Sequence, residues 1–472
     1  MASPVRSPEH GLIVPATLAF VALGVYAFVF RVSGVPDSYW MMFDQIRDWD
    51  RAQSGLTDLP LHGTERSGGG HHWGPTYYWW LWLVRSTLGR ALDNLPHAAG
   101  IAVAALDSAT FAFLAAAIWR AGAPLVATLA AAVLWATLPY PAALARVGWN
   151  PAFALALTSF CLALASTWSG RLSLAHVALL CALSVGAVHA HTGSISFFLA
   201  LCAVLVWQGY RSRQLTGTVV TIVATVVVLQ VPMVLEYLRR PDDSPTAIGQ
   251  TVLGVFSGEA LGTMFRGAVF VAVEGPILLL SALPERILTF GGFLLLGVMA
   301  FSAKCVVFGS QAARIVIALS VATVALSVMS YTVVQETPQR YWLLLIVPPS
   351  FVLFAFGLGE IQRLGRPGAI VVGAVLVAVL AAQPKLWTIS SLTHRYPPYG
   401  LVVEAARDLR GRDVEIRMLV GPADHRMPTQ STAVYRWLGG RVSESSPNVA
   451  VVKGSGELEV VRVPLPPSSE PR

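Results

Sequence analysis

Residues 98–119 read AAGIAVAALDSATFAFLAAAIW, an apolar run whose one ionisable side chain is Asp107 and which is followed by Arg120. A helix needs about 20 apolar residues to cross the hydrocarbon core of a bilayer, which is roughly 30 Å thick. The run therefore predicts a membrane-spanning helix. An unpaired carboxylate near its middle is costly in lipid, so we expect Asp107 to be protonated, paired inside a helical bundle, or functional.

The rest of the chain has the same apolar character. Of its 472 residues, 55% are hydrophobic and only 12% are charged, and the mean hydropathy is +0.61. This composition predicts an all-α polytopic membrane protein. The apolar runs predict eleven spanning helices, at residues 11–30, 98–119, 122–139, 151–168, 172–188, 194–209, 216–235, 288–306, 314–333, 341–359 and 368–383.

Two further apolar stretches are shorter or interrupted. Residues 77–92 contain Arg85, and residues 267–283 contain Glu274 followed by Gly-Pro. Counting them as spans disrupts the distribution of charge between the two sides of the membrane. We therefore predict that both are interfacial helices within external loops.

Basic residues are concentrated in the short loops on one side of the predicted bundle. That side has only Glu9 and Glu360 as acids, against Arg6, Arg120, Arg171, Arg211, Arg213, Lys304, Arg314, Arg363 and Arg366. An excess of Lys and Arg marks cytoplasmic loops. We therefore predict a multi-pass protein of the inner (plasma) membrane with a cytoplasmic N-terminus and an external C-terminus. The long loops 31–97 and 237–287 are then external.

The end of the chain is less apolar than the rest. Residues 401–412 and 430–441 have helical patterns, and VEIRMLV, VAVVKG and ELEVVRV are typical of strands. We therefore predict a transmembrane module over 1–384 and a small external α/β domain over 385–472, which ends in a disordered segment.

The first long loop carries the acids closest to the membrane. In FDQIRDWDRA, Asp44 and Asp48 share one face of a predicted helix. This pattern is typical of a solvated amphipathic helix. It also suits catalysis, because a partly desolvated carboxylate has a raised pKa and can act as a general base.

The segment GGGHHWGPTYY, residues 68–78, leads into an aromatic stretch. Its glycines permit a tight turn, and the imidazoles of His71 and His72 can donate to an anionic oxygen. The segment is either part of a substrate site or a linker before an interfacial aromatic belt.

Five short motifs in order resemble bacterial membrane glycosyltransferases of the GT-C superfamily. Most similar is the polyprenyl-phosphate-sugar-dependent group, glycosyltransferase family 39, which includes protein mannosyltransferases and lipid A aminoarabinose transferase. The motifs are FDQIRDWDRA (43–52), LPLHGTERSGGGHHWGPTYYWW (59–80), ARVGWNP (145–151), HAHTG (189–193) and PQRYWLLLIVPP (338–349).

The resemblance implies an inverting sugar transfer. A polyprenyl-phosphate sugar enters from the bilayer, and a deprotonated acceptor hydroxyl of a glycan, lipid or protein attacks its anomeric carbon. A carboxylate supplies the base and a cation stabilises the phosphate that leaves. No cofactor is required. A divalent metal is an alternative, but Gln45 stands where the family often has a second acid, which argues against it.

The resemblance also implies roles for individual residues. Asp44 corresponds to the first-loop acid and is the predicted catalytic base or acceptor positioner. The predicted substrate-binding residues are His71, His72, Tyr77, Arg146, Trp149, Asn150, His189, His191, Arg340 and Tyr341.

Several of these residues have a simpler interpretation. Arg146 and Arg340 are alternatively helix-end arginines that reach the headgroup layer. His189 and His191 are alternatively hydrogen-bonded residues at a helix end. Their spacing could bind a metal only with a third ligand that we cannot identify, so no metal site is predicted.

Two other classes of function fit an apolar chain of this kind. One is a transporter or flippase of lipid-linked sugars, and the other is an envelope scaffold whose tail binds partners. Transporters commonly have repeated halves and polar or broken helices near the midplane. In this sequence the polar residues concentrate at the external helix ends, which favours the enzyme.

Overall fold

A computed structural model describes most of the predicted membrane module and parts of the tail. The described residues are 10–33, 39, 43–65, 71–168, 173–239, 297–333, 344–391, 399–408, 413–418, 433–442, 448–452 and 458–462. Arg340, Tyr341, the glycines at 68–70 and the predicted interfacial helix 267–283 lie outside these residues.

The described chain is mostly helical. Its helices are α1 His10–Val32, α2 Phe43–Ala52, α3 Thr76–Val84, α4 His97–Arg120, α5 Leu125–Ala136, α6 Pro139–Arg146, α7 Asn150–Ser166, α8 Leu174–Ala190, α9 Ile195–Arg211, α10 Leu215–Arg239, α11 Ala303–Phe308, α12 Gln311–Val333, α13 Val347–Gln362, α14 Arg366–Ser391 and α15 Tyr399–Asp408. One π-helical turn, Arg85–Gly89, continues α3.

Five of the described helical segments are long and apolar enough to cross a membrane, and six shorter apolar segments accompany them. Each of the eleven predicted spans overlaps one of these segments. A polytopic membrane fold is therefore confirmed. The number of crossings stays a prediction, because length and composition alone do not show which of the six shorter segments cross the bilayer.

The helices pack as a bundle with α4 near its centre. Helix α4 packs against α1 and α7, α7 packs against α8, and α13 packs against α5 and α12. Buried alanines line α4 and α7. Small side chains let helix backbones approach closely, which is the usual basis of helix packing in lipid.

An ion pair inside the bundle explains Asp107. The Nε atom of Arg31, at the end of α1, lies 2.7 Å from Oδ2 of Asp107 in α4, and both side chains are almost fully buried. Arg31 Nη1 also donates to the carbonyl of Ala136 at 2.7 Å. Of the three possibilities that the sequence left open for Asp107, pairing inside the bundle is the one that the structure shows.

The tail contains a four-stranded sheet with order β2-β1-β3-β4. Its strands are β1 Asp413–Met418, β2 Arg441–Val442, β3 Asn448–Val452 and β4 Leu458–Arg462. β1 is parallel to both β2 and β3, and β3 and β4 form an antiparallel pair. The three predicted strands coincide with β1, β3 and β4, whereas the two residues of β2 are too few to show an alternating pattern. Helix α14 continues to Ser391, past the predicted boundary at 384.

Candidate functional site

The first loop returns to the end of the bundle where α1 ends, α4 and α7 begin and α8 ends. We call this end the loop face. Two backbone bonds join the loop's strands: Gly63 N–H donates to the carbonyl of His72, and His72 N–H donates to the carbonyl of Thr64, each at 2.9 Å. Glu65 and His71 form an antiparallel bridge. The loop therefore places His71 and His72 on a short two-stranded ribbon.

Two glycines let this ribbon lie directly on α8. A Cβ atom at Gly63 would lie 3.0 Å from the carbonyl oxygen of His189, and one at Gly74 would lie 2.5 Å from the imidazole of His189. Gly74 also has φ of +137°, a conformation that side-chain-bearing residues avoid. The sequence suggested tight turns at 68–70. The close approach that the structure shows is at Gly63 and Gly74.

Helix α2 carries a network of charged side chains with Arg47 at its centre. Arg47 Nη1 lies 3.5 Å from Oδ1 of Asp44 and 2.9 Å from Oε2 of Glu65. Its Nε lies 3.1 Å from Oδ1 of Asp48. One guanidinium thus contacts three carboxylates, and it links the predicted catalytic residue Asp44 to the ribbon that carries the histidines.

Arg51 and Tyr78 complete the network. Arg51 Nη2 lies 2.7 Å from Oε1 of Glu65, and Arg51 Nη1 lies 3.0 Å from the hydroxyl oxygen of Tyr78. The Tyr78 hydroxyl donates to Oδ1 of Asp48 at 3.0 Å. Burial opposes ionisation of Glu65, but Arg47 and Arg51 outweigh it and lower the pKa of Glu65 below its usual value. Glu65 is therefore a carboxylate that holds both arginines.

The two acids on the predicted face of α2 have different environments. The side chain of Asp48 is only 4% exposed, and burial raises its pKa to about 6 against the opposing effects of Arg47 and Tyr78. The side chain of Asp44 is 40% exposed and has the longer of the contacts to Arg47. Of the two carboxylates, Asp44 is the one that an acceptor hydroxyl can reach.

His72 lies where the first loop meets α7 and α8. Its Nδ1 accepts the backbone N–H of Thr192 at 3.0 Å, so the proton of the neutral imidazole is on Nε2. Nε2 lies 3.4 Å from the amide nitrogen of Asn150. That nitrogen donates to the carbonyl of Ala190 at 2.8 Å and to Oγ1 of Thr64 at 3.2 Å. These contacts hold His72 and Asn150 in fixed orientations. The donor nitrogen of His72, Nε2, lies next to the amide of Asn150.

His191 and His189 lie around the contact between His72 and Asn150. The rings of His72 and His191 have centroids 5.3 Å apart, and His191 Nδ1 accepts the N–H of Gly193 at 3.2 Å. His189 lies below the ribbon, with Nδ1 2.9 Å from Oγ1 of Thr76 and Nε2 3.1 Å from the amide nitrogen of Gln230. These contacts correspond to the hydrogen-bonded alternative for His189, whereas substrate binding by His189 and His191 stays a prediction.

His71 lies between the network around Arg47 and the group of histidines around His72. Its ring lies over that of His62, with centroids 3.8 Å apart, and its backbone is paired with Glu65. The network around Arg47 and the histidine group are therefore neighbours along a single ribbon.

Two other predicted site residues make contacts within the protein at the loop face. Tyr77, which is buried, donates through its hydroxyl to the carbonyl of Gly148. Arg146 donates from Nε to the carbonyl of Arg31 at 2.7 Å and from Nη2 to that of Phe30 at 3.2 Å. These carbonyls are among those left without an intrahelical partner at the end of α1. Arg146 therefore caps α1. Its side chain is buried and does not reach the headgroup layer, and a substrate contact stays a prediction.

Trp149 is the N-cap residue of α7 and also lies at the loop face. It is half-buried, and it is adjacent in sequence to Asn150. The motif ARVGWNP thus brings Arg146, Trp149 and Asn150 to the loop face together, and their binding of substrate stays a prediction.

The tail also contacts the first loop. Trp437 Nε1 donates to Oδ1 of Asp50, in α2, at 2.6 Å. Arg407, in α15, forms an ion pair of 2.9 Å with Asp93. The tail and the first loop therefore lie on the same side of the bundle.

Sequence reasoning left several residues out of the site. Arg47, Glu65, Thr64 and Gln230 contact predicted site residues, and Tyr78 contacts Asp48, but none of the five was assigned a role. The i, i+3 spacing of Asp44 and Arg47 is a signal of an interaction along α2. No local pattern signals a contact such as that of Gln230 with His189, because the residues are on different helices. Among the described residues, no group of three His, Cys, Asp or Glu side chains could hold a metal ion.

Comparison with known proteins finds similarity in structure only. No protein-family model and no curated protein sequence matches the chain. The structure of ArnT from Cupriavidus metallidurans bound to undecaprenyl phosphate is similar, with a TM-score of 0.50 and 13% identity, covering 93% of this chain and 93% of that chain. The same protein in the apo state gives a TM-score of 0.51 and 14% identity, covering 92% of this chain and 86% of that one.

An archaeal oligosaccharyltransferase, AglB from Archaeoglobus fulgidus in complex with an inhibitory peptide and a dolichol-phosphate, gives a TM-score of 0.49 and 12% identity. The match covers 85% of this chain and 58% of AglB.

ArnT is a membrane glycosyltransferase of the GT-C superfamily. Similarity over nearly the full length of both chains shows that this protein has the same fold. The fold that the resemblance implied is therefore confirmed.

Proposed function

We propose that this GT-C-fold protein is an integral membrane glycosyltransferase. It transfers a sugar from a polyprenyl-phosphate donor to a glycan, lipid or protein acceptor, with inversion, at the external face of the inner (plasma) membrane. The observation that supports this most is the full-length similarity to ArnT, whose structure was solved with undecaprenyl phosphate bound. The concentration of polar side chains at the loop face agrees with it.

Asp44 is the proposed general base. Its carboxylate accepts the proton of the acceptor hydroxyl while the oxygen attacks the anomeric carbon of the donor. The bond between that carbon and the phosphate oxygen breaks, and the polyprenyl phosphate leaves with both electrons of the bond. The guanidinium of Arg47, 3.5 Å from Asp44, orients the carboxylate and stabilises its charge, while Asp48 and Glu65 hold Arg47 in place.

The phosphate that leaves needs donors and a positive charge. The Nε2–H of His72 is a neutral donor that points away from the Nδ1 contact with Thr192. We propose that it binds a phosphate oxygen, together with His71 and His191. Asn150 donates both amide protons within the protein, to Ala190 and Thr64, so its proposed role is to hold the shape of the site beside His72. Arg340 and Tyr341, outside the described residues, are proposed to supply the cation and a second donor, since a guanidinium fork suits phosphate geometry.

Asp44→Asn tests the proposal. We expect it to abolish transfer of label from polyprenyl-phosphate hexose and pentose donors in membrane vesicles, because the amide cannot accept the proton. Thermal stability in detergent should stay within about 1 kcal/mol of wild type, since the contact to Arg47 is half-exposed. Asp58→Asn is the matched control, as Asp58 is an exposed carboxylate of the same loop.

Two outcomes contradict the proposal. Transfer at the wild-type rate by the Asp44→Asn variant removes Asp44 from the mechanism. Movement of intact lipid-linked sugar across vesicles by the wild-type protein, without transfer to any acceptor, supports the transporter alternative instead.

A further inference from the structure

An apolar groove lies between α1 and α4, away from the loop-face site. It has a volume of about 910 Å³, and its lining includes Gly24 of α1 and Ala109 and Ala112 of α4. A Cβ atom at Gly24 would lie 3.1 Å from that of Ala112, so the two helices are nearly in contact at its floor. Val25 and Phe113 form exposed walls on either side. Volumes of roughly 300–1,000 Å³ are typical of ligand sites.

The groove is long enough for an acyl chain of one leaflet. Ala105 and Arg120 mark its two ends along α4, and fifteen helical residues rise about 22 Å. One leaflet contributes about 15 Å of hydrocarbon. A single acyl chain that starts at the headgroup level can therefore lie entirely within the groove, whereas a polyprenyl chain such as undecaprenyl is much too long for it.

A positive charge lies at one end of the groove. Arg120 is exposed at the C-terminus of α4, and in the part of the chain that the structure describes its guanidinium makes no ion pair. The hydroxyl-bearing Thr167 lines the same end. An arginine fork binds phosphate oxygens in two parallel bonds. The groove thus combines an apolar channel of one-chain length with a phosphate-binding group at its headgroup end.

The surrounding surface favours an anionic lipid. Basic side chains at the same end of the bundle include Arg211, Arg363 and Arg366, each at or next to a helix end. Each basic residue near a bilayer surface attracts anionic lipids by about 1 kcal/mol. A zwitterionic headgroup gains little from this field.

We propose that the groove between α1 and α4 is a binding site for one anionic phospholipid, whose phosphate binds Arg120 and one of whose acyl chains fills the groove. The headgroup end of this site, at Arg120, is at the opposite end of the bundle from the loop face. It is therefore independent of the proposed sugar transfer, and it holds a lipid of the leaflet on the Arg120 side.

Native mass spectrometry of the full-length protein in detergent tests the site. The probes are phosphatidylglycerol and phosphatidylcholine with identical acyl chains, and undecaprenyl phosphate. We expect one phosphatidylglycerol to be retained in preference to phosphatidylcholine. Arg120→Gln should weaken retention of phosphatidylglycerol roughly tenfold, as for loss of one charge-assisted contact. It should weaken retention of phosphatidylcholine less, because the ammonium of that lipid offsets the charge of its phosphate.

A second variant fills the groove without touching the charge. Ala109 is exposed and lines the groove, so Ala109→Phe should abolish retention of the bound phosphatidylglycerol without overpacking the protein interior. The matched controls are Arg366→Gln, an exposed arginine at the same end, and Ala224→Phe, an exposed alanine of α10. Ala224→Phe should retain phosphatidylglycerol as the wild type does. Arg366→Gln should weaken its retention less than Arg120→Gln, because Arg366 does not line the groove.

Three results overturn the assignment. If the two phospholipids are retained equally, and neither Arg120→Gln nor Ala109→Phe changes their retention, the groove is ordinary bilayer-facing surface. If undecaprenyl phosphate is retained in preference to both phospholipids, and Ala109→Phe abolishes that retention, the groove is a polyprenyl site. A dimer that Ala109→Phe dissociates makes the groove an interface between copies of this chain.

Discussion

Replacing Gly74 by Ala tests the close packing of the first loop on α8. Gly74 has φ of +137°, a region that costs residues with a side chain about 1–3 kcal/mol. The new Cβ would also lie 2.5 Å from the ring of His189, and such overlap costs typically 1–3 kcal/mol. We therefore expect Gly74→Ala to destabilise the protein by about 2–6 kcal/mol.

Gly365→Ala separates the two contributions. Gly365 also has a positive φ, +87°, but no atom lies within 4 Å of the position of its Cβ. Its replacement should therefore cost only the backbone strain, about 1–2 kcal/mol. Scanning fluorimetry of the purified proteins should give a lower apparent Tm for Gly74→Ala than for Gly365→Ala.

The overlap should also affect activity. The ring of His189 has to move away from Thr76 and Gln230, which it contacts at 2.9 and 3.1 Å. Because this ring supports the ribbon that carries His72, sugar transfer in vesicles should fall in Gly74→Ala and stay near wild type in Gly365→Ala. Equal Tm values and equal transfer rates for the two variants would refute the close approach of the loop to His189.

Three further predictions concern single groups. Burial raises the pKa of Asp48 to about 6, so ionisation of this carboxyl opposes folding above that pH. The stability of the protein should therefore rise as the pH falls from about 6 to 4. Asp48→Asn should remove this contribution from a plot of Tm against pH. Arg31→Met should destabilise by about 3–5 kcal/mol, because it leaves the buried Asp107 unpaired, and adding Asp107→Leu should restore most of the lost Tm. His72→Asn should keep an acceptor for the Thr192 N–H but lose the Nε2 donor, so donor turnover should fall at nearly constant Tm; unchanged turnover would exclude the phosphate contact.

The membrane helices could be predicted from the sequence because each satisfies its own backbone hydrogen bonds. In lipid, a long apolar run has no alternative to a helix or a closed barrel. The segment 98–119 therefore predicted α4, and similar runs predicted the other helices. The predicted and observed ends differ by a few residues, because hydropathy does not mark where the helical hydrogen bonds stop. For example, the predicted span 122–139 corresponds to the observed helix Leu125–Ala136.

The candidate site was predictable only in part. The motif order placed Asp44, His72 and Asn150 on one face, and the structure brings the latter two together. The role of Arg47 as the contact of three carboxylates was not predictable, because one of them, Glu65, comes from a different part of the loop. Arg340 and Tyr341 lie outside the described residues and stay predictions.

The sequence by itself determined that the chain forms apolar helices, where they lie along it, and which loops carry the polar motifs. These properties depend on interactions between residues close in the chain. Only the tertiary structure decided that Asp107 pairs with Arg31, that Gly74 lies against His189, and that Arg146 caps α1. Such contacts join residues that are distant in sequence, so they are set by how the helices pack and leave no local pattern.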